Sequence, residues 1–156
     1  MTAQTEHLPT EETLPRLVHF PVTFFAVVMG LAGFALALHA ATPAFGLRPV
    51  LAEGAYIAAL AAFAVIAALY ALKALRHASA VRAEWHHPVK IAFFPAISIS
   101  ILLLATATLP HNARLADIAW LIGAGLQAGF TLAVISSWIS HRAFQHGVLS
   151  PAWFIP

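Results

Sequence analysis

The side chains able to do chemistry are few: nine His, eight Lys plus Arg, six Asp plus Glu and no Cys in 156 residues. Without cysteine there is no disulfide, thiolate metal site, iron–sulfur cluster or thiol nucleophile. Two histidines at matching depth on neighbouring helices hold a haem. Here His7, His77, His86, His87, His111, His141 and His146 fall in a tail, in loops or at helix ends, and only His19 and His39 flank an apolar run. No metal or cofactor is expected. No Ser, His and Asp stand in a catalytic arrangement, so no catalytic residue and no enzyme activity are expected either.

The remaining polar resource lies inside apolar sequence. Ser98, Ser100, Thr106 and Thr108 carry hydroxyls that can bond back to a carbonyl one turn earlier. Gln127 cannot satisfy its amide so locally, and it either joins two helices or faces a polar cavity. Pro21, Gly30, Gly33 and Pro95 are helix breakers. The groups they free are tolerated at membrane depth only when buried in protein or lining a wet cavity, and a kink that improves packing is the plainer alternative.

Those residues need a scaffold, and composition says which. Hydrophobic residues make up 61% and charged ones 9%, against roughly 25% charged in soluble domains, and the mean hydropathy is +0.84. A water-soluble globule is excluded, and this is an integral membrane protein. The two surplus positive charges form no basic patch, so nucleic acid is not an expected partner.

No Asp, Glu, Lys or Arg occurs in residues 17–47, 54–72, 91–113 or 118–141. Each run contains the ~20 apolar residues that cross ~30 Å of hydrocarbon as a helix. The runs are continuous rather than alternating, which disfavours a β-barrel. The expected fold is all-α with four transmembrane helices over about 20–40, 54–73, 91–109 and 117–140, paired as two antiparallel hairpins. Residues 1–16 read as a polar tail without the basic start of a signal peptide. Residues 141–156 read as a further segment on the same side.

Orientation follows from positive charge, which cytoplasmic loops retain. Arg16, Lys73, Arg76, Arg82, Lys90 and Arg142 fall on one side of four alternating helices, and only Arg48 and Arg114 on the other. The amino terminus is expected in the cytoplasm of a plasma or inner membrane. For packing, Gly125 and Gly129 form a GxxxG pair, and Ala55, Ala58, Ala59, Ala62, Ala64 and Ala68 offer a small-residue surface on the second helix. No charge lies within a span, which argues against a proton pump.

The stretch Val81, Arg82, Ala83, Glu84, Trp85, His86, His87, Pro88, Val89, Lys90, followed by Phe93, Phe94 and residues 98–104, resembles the approach to the third helix in the tellurite-resistance/dicarboxylate transporter family, which includes the plant slow anion channels. Collinear matches are Phe20, Pro21, Phe24, Phe25, Gly30 and Leu31, then Gly123 and Gln127, then residues 151–156. The resemblance implies the first part of a ten-helix, five-hairpin anion channel fold with odd-numbered helices around a central pore, commonly a homotrimer. Ala26 and Val28 depart from it, standing where members often have Gly or Pro. It also implies that residue 156 falls where a fifth helix begins, so the chain reads as a truncated or partial channel.

The expected function is passive movement of small monovalent anions or C4-dicarboxylates. Pro21, Phe24, Gly30, Pro95, Ser98 and Gln127 are the candidates for the anion path, and Arg82, His87, Pro88 and Lys90 for the cytoplasmic mouth. Arg82 and Lys90 draw anions in, His87 and Pro88 shape the third helix's approach, and Phe24 supplies an apolar wall. Two rival readings are a non-transporting helical scaffold and, more weakly, a haem-bearing electron carrier.

Overall fold

The computed structural model describes residues 16–139. Five α-helices follow in order: α1 Phe25–Phe45, α2 Pro49–Arg76, α3 Ala78–Trp85, α4 Pro95–Thr108 and α5 Ala113–Ile139. Short 3-10 turns at Arg16–His19, Val22–Phe24 and Lys90–Phe93 precede α1 and α4. With the turns included, α1, α2, α4 and α5 are each long and apolar enough to cross a membrane. The fold is all-helical with four candidate spans, and α1 and α2, then α4 and α5, pack as hairpins.

Local chemistry sets the helix ends. Gly46 closes α1 in the left-handed conformation, φ 62°, which glycine adopts without a Cβ penalty. Pro49 and Pro95 open α2 and α4, positions where the missing N–H has no intrahelical partner to lose. At ~1.5 Å per residue the 28 residues of α2 extend roughly 42 Å. The helix therefore carries Glu53 and Arg76 inside its own length, beyond the 54–73 expected for it.

Three sequence expectations change. Pro21 lies before α1, and α1 runs unbroken through Gly30 and Gly33, because glycine keeps its N–H and costs a helix only about 1 kcal/mol. Pro95 begins α4 instead of sitting one turn inside it. The connection between the second and third spans is largely helical, since α3 occupies it one residue after α2 ends.

Helix α4 is the most buried of the four and packs against α1 on one side and α5 on the other, while α2 packs mainly on α1 and also touches α4. Its inward positions are mostly small: Ala96, Ser98, Ser100, Ala105 and Ala107 are buried. On α1, which packs against α4, the buried positions Ala32 and Ala35 are small too, which suits the close backbone approach that drives helix association in lipid. Ser100 Oγ lies 2.7 Å from the Ala96 carbonyl and 3.2 Å from that of Phe25, so it back-bonds within α4 and reaches α1. A ladder of rings, Phe63–Phe25–Tyr70–Phe94 and on to Trp85 and Phe130, joins all five helices near one end, with centroids 4.8 to 6.5 Å apart.

The packing glycine differs from the expected pair. Gly125 and Gly129 have nothing within 4 Å of a built Cβ and lie on the exposed face of α5, whereas at Gly123 a Cβ meets Leu102 at 3.0 Å and Ile101 at 3.2 Å. On α2, Ala59 is buried and Ala55 and Ala62 half-buried, while Ala58, Ala64 and Ala68 face outward. The buried stripe of α2 is Ala52, Ala59, Ile66, Tyr70 and Lys73. Gly123→Val is expected to cost about 1–3 kcal/mol by overpacking, while Gly125→Ala and Gly129→Ala are neutral or slightly stabilising, as read by thermal melting of the three variants in detergent.

Candidate functional site

Two polar clusters stand at opposite ends of the bundle. At the end where α2 meets α3, Lys73 is fully buried, and its ammonium donates to Glu84 Oε1 at 2.8 Å and to the Phe20 carbonyl at 2.8 Å. Tyr70 Oη donates to the other carboxylate oxygen of Glu84 at 3.0 Å. Tyr70 and Lys73 lie one turn apart on α2, so both reach α3, and Glu84 is only 6% exposed. Three elements converge here: α2, α3 and the chain leading into α1.

This cluster places the residues expected at the mouth. Arg82 is exposed on α3, and its carbonyl accepts a hydrogen bond from His86 Nδ1 at 2.7 Å. His87 Nδ1 accepts the backbone N–H groups of Val89 at 3.2 Å and Lys90 at 3.3 Å. The proton of neutral His87 is therefore on Nε2, while that of His86 is on Nδ1. Pro88 and Lys90 are half-buried in the same turn. Arg82 on α3 and His87, Pro88 and Lys90 in the turn before α4 thus lie on one short stretch of chain.

The residues expected along the path are not gathered in this way. Phe24, 42% exposed, stacks on Phe20 at 4.7 Å, and it shares an outward stripe of α1 with Val27, Gly30 and Phe34. Pro21 is half-buried ahead of α1. Pro95 and Ser98 are buried, and Ser98 Oγ lies 2.6 Å from Gln127 Oε1 and 2.8 Å from the Pro95 carbonyl. Gln127 Nε2 donates to Thr131. Of the two roles open to it, Gln127 takes the helix-joining one.

The opposite end holds a cavity of about 460 Å³ between α1, α2 and α4, with His39, Glu53, Tyr56 and His111 among its lining. Tyr56 and Thr108 share a hydrogen bond of 2.9 Å, the His111 ring stacks on Tyr56 at 4.7 Å, and His111 Nε2 lies 3.4 Å from Glu53 Oε2. Among the described residues no three His, Asp or Glu stand close enough together to hold a metal ion.

Lys73, Glu84 and Tyr70 are the site residues that sequence reasoning missed. Lys73 reads as a topology signal because it ends an apolar run. The available clue was its place three residues after Tyr70 on the inward stripe of α2, a face with no water for an ammonium.

The sequence pattern of the voltage-dependent anion channels matches residues 19–156. The chain is 28% identical over 142 residues to the guard cell S-type anion channel SLAC1 of Arabidopsis thaliana, which covers 85% of this chain and 26% of that protein. It is 33% identical over 108 residues to the S-type anion channel SLAH3 of the same plant, covering 66% and 17%. Against the tellurite resistance protein TehA homolog of Haemophilus influenzae it is 26% identical over 136 residues, covering 87% and 42%. The chain thus spans less than half the length of these relatives.

Removing one partner of a buried ion pair leaves the other charge uncompensated. Glu84→Gln is expected to destabilise the chain by about 3–5 kcal/mol, and Lys73→Met with Glu84→Gln to recover most of that loss. Denaturation of both variants in detergent checks this, and a double variant no better than the single would show that the pair's charges do not drive the loss.

Proposed function

This chain belongs to the voltage-dependent anion channel family, and from that premise we propose that its helices form part of a passive pathway for small anions, monovalent or C4-dicarboxylate, across a plasma or inner membrane. The observation that carries the reading is the family match over nearly all of the described residues and beyond. Packing is compatible with it: α1 and α4 lie against each other, and each also packs on its own hairpin partner, α2 and α5. A homotrimer, each subunit with its own path, is the assembly we infer from the family.

In this reading the outward stripe of Phe24, Val27, Gly30 and Phe34 faces the pathway, with Phe24 as an apolar wall and Gly30 leaving the backbone uncovered. Pro21 sets the turn into that stripe. Pro95 opens α4, and Ser98 and Gln127 hold that helix against α5 behind it. Arg82 and Lys90 stand at the mouth, and neither pairs with a carboxylate among the described residues. Such charges raise the local anion concentration, and His87 and Pro88 hold Lys90 in place.

Orientation is tested first. Reporter fusions after Arg82 should read cytoplasmic and those after Pro43 and Asn112 external; the opposite reading would put the basic mouth outside. Conduction is tested in liposomes under a nitrate- or chloride-driven potential, with the chain alone and joined to the remaining segment of the Haemophilus homologue. Selective anion flux is expected from the joined protein, and no flux from either would sink the proposal. Lys90→Glu should lower that flux about fourfold, the effect of two unit charges at ~10 Å in water. The reduction should fade as the Debye length falls from ~10 Å at 0.1 M salt toward ~3 Å at 1 M.

A further inference from the structure

The Glu84 carboxylate is held by donors from a different helix. Its two oxygens are met by two different donors, Lys73 Nζ at 2.8 Å and Tyr70 Oη at 3.0 Å, and both donors belong to one turn of α2. The ammonium is held independently of Glu84 by the Phe20 carbonyl at 2.8 Å. Tyr70 is fixed by its ring contacts with Phe25 at 5.9 Å and Phe94 at 6.5 Å. The donors are therefore preorganised on α1–α2 and the neighbouring aromatic ladder, while the acceptor comes from α3, a separate eight-residue helix.

From this division we propose that Lys73 and Tyr70 form a small-anion binding site in which the side chain of Glu84 is the resident, tethered anion. The chemistry of the pocket names its class of ligand. A planar monovalent oxyanion, formate or nitrate, presents two oxygens at the spacing of a carboxylate and accepts from both donors. Chloride accepts from both through one atom. Sulfate brings a second charge that the single buried ammonium leaves unbalanced. The side chain of Glu84 is 8% exposed while that of Lys73 is wholly covered, so Glu84 is the outer member of the pair. This site stands whether or not the chain conducts, since it needs only the fold at the α2–α3 end.

The test replaces the tethered anion by a free one. Glu84→Ala removes the carboxylate and leaves a hole of its size beside Lys73 and Tyr70. The full chain in detergent is melted in sodium formate or nitrate, with gluconate holding total ionic strength at ~0.1 M. Ligand that binds only the folded state raises the melting temperature; for Glu84→Ala a rise of about 5 °C is expected, with sulfate giving little. The unaltered chain should show no such rise, its site being filled. Lys73→Met with Glu84→Ala should show none either, having lost the cation.

Should Glu84→Ala fold only when formate or nitrate is present, that recovery supports the site. Failure to recover in any of the anions overturns it. An equal anion response in the double variant also overturns it, since the anions would then act elsewhere on the chain.

Discussion

A fully buried ammonium at the end of a membrane helix must be matched by a fixed negative charge, and much of this molecule's arrangement follows from that requirement. Lys73 cannot turn to water, so Glu84 is brought in on α3 and the Phe20 carbonyl on the chain before α1. Meeting those partners settles three things at once: where α3 and its Arg82 lie, how the chain approaches α1, and where the turn carrying His87 and Lys90 begins. The aromatic ladder through Tyr70 and Phe94 extends the same junction to α4 and α5. Charge thus organises one end of a bundle whose middle contains none.

The middle obeys a different constraint. Apolar side chains gain nothing from leaving lipid for each other, so helices associate through close packing and a few interhelical hydrogen bonds. Helix α4 meets both conditions. Ser100 reaches the Phe25 carbonyl on one side, while Ser98 meets Gln127 on the other, close to where Gly123 admits Leu102. The hydroxyls also bond back within their own helix, which lets them be buried without leaving a polar group unsatisfied. The buried hydroxyls of Ser98 and Ser100 and the half-buried amide of Gln127 therefore behave as fasteners.

Much of this was legible in the sequence, and the reasons for the rest are physical. Four charge-free runs of spanning length declare four helices because lipid admits no other use for them. The family resemblance was legible in residues 81–90 because charge, aromatic, histidine and proline are packed there in a fixed order. Lys73 was not legible as a site. A lysine that ends an apolar run has the same appearance whether it snorkels to the surface or turns inward, and only the inward phase of Tyr70 one turn earlier separates the two. The GxxxG pair does not pack within the described residues for the complementary reason. Spacing puts Gly125 and Gly129 on one face but does not say which face, and here it is the outward one.

The same ambiguity of face bears on α1. Its buried positions Val22, Phe25, Val28, Ala32 and Ala35 form one stripe against α2 and α4, leaving Phe24, Val27, Gly30 and Phe34 uncovered on another. A helix that only anchored the bundle could present any apolar residues to lipid. One that also borders a water-filled route needs a face that neither binds the passing ion tightly nor is sealed by its neighbours. A stripe in which two phenylalanines flank a bare glycine satisfies both conditions. The unbroken course of α1 through Gly30 is then an advantage rather than a contradiction. In the proposed pathway such a continuous helix keeps its hydrogen bonds internal, while Gly30 leaves the backbone uncovered on that face.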